Sequence, residues 1–178
     1  MPELIVTFRP ITADDIPDKV RWYNDKEITR YLNYEEEFSV EQSLRWFEKV
    51  KNDPTRFENI IEVVENGKPR KVGIVGLFDI DLKNRKAGFY ITIGEGNYQG
   101  RGIARKVTVD FLTSCFLEFQ LEKIYLFTHQ ENLRAQRLYE RIGFVREGVL
   151  RHELYVRGRF INRYYYGILR GEFFAIHG

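Results

Sequence analysis

The stretch Gln99-Gly100-Arg101-Gly102-Ile103-Ala104 is able to do chemistry with its backbone alone. It follows Gly88-Phe89-Tyr90-Ile91-Thr92-Ile93-Gly94, a run rich in β-branched and aromatic residues of the kind strands use. After it, Ile103, Val107, Phe111 and Cys115 recur every four residues, which lines one helical face. A glycine loop that opens into a helix presents free N–H groups at the positive end of the helix dipole. Both features suit a phosphate or pyrophosphate. A Walker loop needs Lys-Ser or Lys-Thr after its last glycine, and here Ile103-Ala104 follows. A dinucleotide fingerprint needs a third glycine in an N-terminal β-α-β unit, and this loop lies past the middle of the chain. A turn that needs glycine for backbone reasons alone stays open at this point.

A second pattern follows about thirty residues later, Asn132-x-x-Ala135-x-x-Leu138-Tyr139-x-x-x-Gly143-Phe144. Together with Gln99-x-x-Gly102-x-Ala104 it resembles the two signatures of the Gcn5-related N-acetyltransferase (GNAT) family. Phe8-Arg9-Pro10 is similar to the first strand of that family, so the resemblance covers almost the whole chain. Tyr98-Gln99-Gly100-Arg101-Gly102 and Phe144-Val145-Arg146-Glu147-Gly148 resemble the branch of spermidine and ribosomal-protein N-terminal acetyltransferases.

The resemblance implies acetyl transfer from acetyl-CoA to a primary amine by direct attack in a ternary complex. The backbone of Gln99, Gly100, Arg101, Gly102, Ile103 and Ala104 would hold the pyrophosphate, with Arg101, Arg105 and Arg141 adding charge. Ile91, Thr92 and Ile93 would pair with the pantetheine arm, and an N–H of residue 92 or 93 would polarise the thioester carbonyl. Asn132 is a helix N-cap by type and position, and the resemblance adds a pantetheine contact. Tyr139 would protonate the departing thiolate, its alternative being a core tyrosine one position off the Leu138 stripe. Glu95, His129 or solvent would take the proton of the amine.

Acceptor selectivity is expected in the N-terminal half. Glu35-Glu36-Glu37 is an acidic run that would hold a polycation such as spermidine, or else form a solvated turn. A peptide N-terminus and an aminoglycoside or amino sugar are the rival acceptors. An acyl-CoA-binding sensor without catalysis is the non-enzyme alternative.

These residues need a fold to position them. The chain has 178 residues, 43% of them hydrophobic and 30% charged, which reads as one α+β domain over residues 1–178. One cysteine allows no intrachain disulfide, and cysteine and histidine are too few for a recognisable zinc site, so no metal is expected. A net charge of +2 argues against nucleic acid. No signal peptide or membrane span is recognisable, so a cytoplasmic location follows by default. The pattern predicts strands over 4–10, 57–65, 71–80, 86–94, 123–128, 144–155 and 160–169. Helices are expected from Thr12 to Tyr23, Lys26 to Tyr31, Ser39 to Val50, Gly102 to Phe119 and Asn132 to Ile142. The resemblance implies a mixed, mostly antiparallel sheet of about seven strands, with a splayed central pair that binds acyl-CoA. Tyr164-Tyr165-Tyr166 and Phe173-Phe174 are many aromatics for a chain end; some are expected as alternating core residues of the last strand, and the excess predicts a homodimer or larger homo-oligomer.

Overall fold

The computed structural model describes residues 5–178, so Leu4 lies outside the described residues. The strands are β1 (Ile5–Pro10), β2 (Phe57–Glu65), β3 (Lys68–Asp81), β4 (Lys86–Ile93), β5 (Lys123–His129), β6 (Val145–Val156) and β7 (Arg159–Leu169). The helices are α1 (Ile16–Asn24), α2 (Val40–Val50), α3 (Ile103–Glu118), α4 (Leu133–Ile142) and α5 (Arg170–His177). The seven strands form one sheet in the order β1-β2-β3-β4-β5-β7-β6. Every neighbouring pair is antiparallel except β4 and β5. This is the α+β GNAT architecture the resemblance implies. Among the described residues, no helix is long and apolar enough to cross a membrane.

Local sequence explains most elements. Asn66 and Gly67 both have positive φ (51° and 75°), the turn that matches strand twist, and join β2 to β3. The four-residue repeat of α3 is buried as expected, with Ile103, Val107, Phe111 and Cys115 all in the core. Burial there pushes the Cys115 thiol pKa far above its ordinary value.

Two expectations change. Residues 26 to 31 form successive turns rather than a helix. The Asp25 carboxylate accepts the Glu27 N–H at 2.9 Å, which offers the backbone an alternative to helical bonding. The C-terminal aromatics belong to β7 and to α5, a helix at 170–177 where the sequence pattern predicts no element. Phe173 is fully buried against Phe116, their ring centres 5.2 Å apart. Tyr166 is buried too, and its hydroxyl donates to Glu140 at 2.9 Å. Those side chains pack inside the chain, while Val145, Val149, Tyr155 and Phe160 of the β6–β7 hairpin are exposed.

The β4–β5 pair is short. It holds only Lys86 with Lys123, Ala87 with Ile124 and Gly88 with Tyr125. Beyond these, β4 remains paired with β3 as far as Ile93, and β5 with β7 as far as His129. The sheet therefore splays open at its centre.

A buried carboxylate ties α1 to the sheet. Asp15 is fully buried and accepts two hydrogen bonds from Arg9 of β1 (2.8 and 2.9 Å), plus a 2.8 Å contact from Lys71 of β3. Burial alone would raise its pKa, and the bonds from Arg9, Lys71 and Thr12 outweigh it and hold the carboxyl well below the usual range. A depressed pKa places this stabilisation above about pH 4 and removes it as pH falls further. Asp15→Ala is expected to cost about 2 kcal/mol, less than a fully buried pair because Arg9 and Lys71 keep solvent access. Urea titrations at neutral and acid pH test this, and the gap between variant and parent should shrink on acidification.

Candidate active site

The splay opens into a cavity of about 770 Å³. Phe89 to Thr92 of β4 and Phe127 to His129 of β5 form its floor, and Asn132, Ala135 and Tyr139 of α4 close one side. Lys19 and Tyr23 of α1, Trp46 of α2 and Glu58 of β2 line the other.

The glycine loop comes first along the chain. Gly100 and Gly102 have φ of 77° and 79°, a left-handed backbone that side chains with a Cβ rarely adopt. Gly102 is the N-cap of α3 and offers no capping side chain. The first helical bond runs from the Lys106 N–H to the Gly102 carbonyl at 3.1 Å. The N–H groups of Ile103, Ala104 and Arg105 therefore have no intrahelical partner. A pyrophosphate fits this cradle. Gln99 ties the loop to its surroundings. Its amide donates to the Ile93 carbonyl at 3.2 Å, and its oxygen accepts from Arg134 at 2.8 Å.

Arg134 escaped the sequence reading, although it lies within the second signature. Arg141 shares its exposed helix face two turns on, at the i, i+7 spacing. Arg105 is exposed on the first turn of α3. Arg101 turns to Glu65 (3.7 Å) and lies over the Tyr98 ring.

On α4, Asn132 caps the helix by accepting the Ala135 N–H at 3.1 Å, and also faces the cavity. Tyr139 lies on the buried face with Gln136 and Ile142, not one position off it as the Leu138 stripe implied. Leu138 and Ala135 are only partly buried. The Tyr139 ring meets Phe144 and Phe89 edge-on, at 5.7 and 6.4 Å. Among the described residues its hydroxyl has no hydrogen-bond partner. Burial lifts its pKa to about 12, so it is protonated at neutral pH.

The β4 backbone narrows the choice of carbonyl partner. The Gly94 N–H bonds Val72 of β3 at 2.9 Å. Across that trans peptide the Ile93 carbonyl points the opposite way, into the splay, where Gln99 reaches it. In an extended strand a residue's N–H and C=O share one side, so Ile93 and Ile91 turn their N–H groups toward the opening. Thr92 faces β3 instead.

The remaining candidates separate. Glu95 does not line the cavity. It accepts from Arg21 at 2.5 Å and from the Trp22 indole at 2.8 Å. Burial alone would raise it, and those two bonds hold it below its ordinary pKa. His129 does line the cavity, and burial lowers its pKa, so the ring is neutral at pH 7. Its Nδ1 accepts the Glu131 N–H at 3.0 Å, which leaves the proton on Nε2 and no free lone pair for an amine proton. Glu35, Glu36 and Glu37 line a second cavity of about 510 Å³, which shares Tyr23 and Tyr34 with the first. The structure does not bring them beside Tyr139. The first cavity instead holds Glu58 and Asp79, neither signalled by a motif. Burial and the adjoining Glu58 carboxylate raise the Tyr90 phenol pKa well above normal, and Tyr90 donates to Glu58.

A family profile described as an acetyltransferase (GNAT) domain matches residues 6–145. A prophage-derived N-acetyltransferase, YokL of Bacillus subtilis, is 34% identical over 107 residues, 60% of each chain. The spermidine N(1)-acetyltransferase of Escherichia coli K12 is 29% identical over 97% of this chain and 90% of its own length. The Vibrio cholerae spermidine N-acetyltransferase, solved with CoA and spermine, superposes with a TM-score of 0.88 at 29% identity, covering 95% of this chain and 98% of that one. The same enzyme has also been solved as a dodecamer (TM-score 0.83, 27% identity, 97% and 98% covered).

The two roles of Asn132 are separable. Asn132→Ala is expected to lose about 1 kcal/mol of stability with the cap. Asn132→Ser keeps a capping oxygen and should recover most of it in urea denaturation. A weaker affinity for CoA that persists in the serine variant would then report the cavity-facing amide.

Proposed function

The chain belongs to the GNAT acetyltransferase family and is an acetyl-CoA-dependent N-acetyltransferase; on that premise we propose that its acceptor is the primary amine of a polyamine. Acetyl-CoA, when bound, supplies the activated acetyl group. The observation that carries the reading is one cavity in which the unpaired edge of β4 meets the Tyr139 hydroxyl, with the glycine loop tied to that same edge by the bond from Gln99 to the Ile93 carbonyl.

Each residue then has a task. The free N–H groups at Ile103, Ala104 and Arg105 hold the pyrophosphate, and Arg134, bonded to Gln99 of the same loop, adds a further cation. The Ile93 N–H donates to the thioester oxygen, where negative charge grows as the amine attacks. Tyr139 donates its hydrogen to the leaving sulfur, and Phe89 and Phe144 hold the ring for that contact. Burial favours the neutral thiol product over the thiolate, which helps a phenol of high pKa to part with its proton. Solvent takes the proton of the amine, since Glu95 is held outside the cavity and His129 lacks a free lone pair.

The relatives named for spermidine support a polyamine. The cavity adds chemistry of its own, with two carboxylates among aromatic rings, and aromatic faces attract alkylammonium groups. Assembly into a homo-oligomer is part of the same reading. The exposed apolar residues of the β6–β7 hairpin and the dodecameric relative support it.

Thiol release from acetyl-CoA, measured against polyamines, aminoglycosides and short peptides, tests the assignment. Turnover should be fastest with polyamines. Tight acetyl-CoA binding with no turnover on any amine would make the chain a sensor. Tyr139→Phe should lower kcat about tenfold or more while leaving the Kd for acetyl-CoA unchanged. Near-normal turnover in that variant removes Tyr139 from the chemistry.

A further inference from the structure

The acceptor side of the cavity already contains a primary ammonium group. Lys19 Nζ lies 2.5 Å from Glu58 Oε1, with the two side chains only 10% and 11% exposed. The same ammonium sits 4.9 Å from the centre of the Trp46 ring and 5.8 Å from that of Tyr23. The second oxygen of Glu58 accepts from the Tyr90 hydroxyl. One carboxylate with two aromatic faces around an ammonium is the chemistry that selects alkylammonium ligands. All of these residues line the cavity that holds Tyr139.

We propose that Glu58, Trp46 and Tyr23 form an ammonium subsite for the acceptor, and that Lys19 is its tethered occupant, which an incoming ammonium group displaces. The proposal rests on the reading that this cavity receives an amine. A lysine side chain ends in an aliphatic chain bearing a primary ammonium, the same group that ends a polyamine. The subsite therefore accepts that ligand geometrically, because it accommodates Lys19. Charge explains what the tether does. Lys19 neutralises Glu58, and the Arg56 guanidinium also lies over the Trp46 ring, 5.1 Å from its centre. An arriving polycation meets a filled site with further positive charge beside it. Without Lys19 the carboxylate would be nearly buried and uncompensated, and an external cation would restore its partner. Lys19 thus sets acceptor affinity and penalises ligands that bring no ammonium strong enough to replace it.

Calorimetric titration of spermidine into the CoA-saturated enzyme tests this directly. Lys19→Met should bind spermidine about tenfold more tightly than the parent, one competing ion pair having been removed. Glu58→Gln should weaken binding several-fold. The double variant should show no gain, because the tightening acts through Glu58. Lys19→Gln, which keeps a donor to Glu58 and so protects the fold, should shift affinity in the same direction as Lys19→Met. Unchanged or weaker binding in both Lys19 variants overturns the proposal, as does a gain that survives Glu58→Gln. Binding is read without turnover. An enzyme that acetylates no amine defeats the functional assignment, while the binding series alone decides the displacement.

Discussion

Parallel pairing between β4 and β5 stops at Gly88 and Tyr125, and the site is built from what that leaves unpaired. Strand edges carry N–H and C=O groups that are costly to bury without partners. Here both flanks stay rigid, because β4 keeps β3 and β5 keeps β7 along their lengths. The opening is propped by aromatic rings. Phe89 and Phe144 stack at 6.4 Å, and Tyr139 meets both edge-on. At the closed end, a Cβ on Gly88 would lie 2.3 Å from the Phe78 ring, so a larger residue there would have to displace that ring. A pre-formed edge that a ligand can pair with avoids the ordering cost of making one on binding.

The second requirement is that α1 face the opening in a fixed orientation. Two clamps do this from its two ends. Asp15 joins the helix entry to Arg9 and Lys71, and Glu95 joins the far end through Arg21 and the Trp22 indole. Trp22 also packs on Gly94, where a Cβ would fall 2.1 Å from the ring. With Trp22 turned to the sheet, Lys19 and Tyr23 share the neighbouring face at i, i+4 and line the cavity. Glu95 therefore matters to the site as an anchor of α1, a role quite different from accepting a proton.

How much of this was legible in the sequence differs between the two halves of the site. The donor half is local. Backbone groups at Gly100 to Ala104 need only glycines and a following helix, and Asn132, Tyr139 and Phe144 lie on one helix and its exit. Such features sit close together in the chain and show as spacing. Tyr139 was legible by type and position, and as a core tyrosine too, yet the face it shares with Gln136 and Ile142 was not, since Ala135 and Leu138 suggested a different one. The acceptor half is non-local. Glu58 stands in a strand whose neighbours are mostly apolar, and nothing at positions 57 to 60 announces that it meets Lys19 and Tyr90. The conspicuous acidic run at 35 to 37 drew attention to the adjoining cavity instead. For α5 the signal was composition without period. Two adjacent phenylalanines in a helix only eight residues long read equally as a surface patch or a core plug, and only the packing of Phe173 on Phe116 decides.

This asymmetry follows from what each half is proposed to recognise. A pyrophosphate and a thioester carbonyl present oxygens, and backbone N–H groups satisfy oxygens whatever the side chains are. Contiguous chain can therefore carry the donor site. An ammonium group presents only donors, and a cation of this kind is selected by carboxylates and aromatic faces, which are side chains. To surround it they must converge from different directions, here from α1, α2, β2 and β4. Convergent side chains of opposite charge also have to be satisfied before any ligand arrives, because an uncompensated carboxylate at the depth of Glu58 would destabilise the fold. Lys19 meets that need from within the chain. On the proposed reading, the stability of the empty enzyme and its affinity for a cationic acceptor rest on the same ion pair, and they pull in opposite directions.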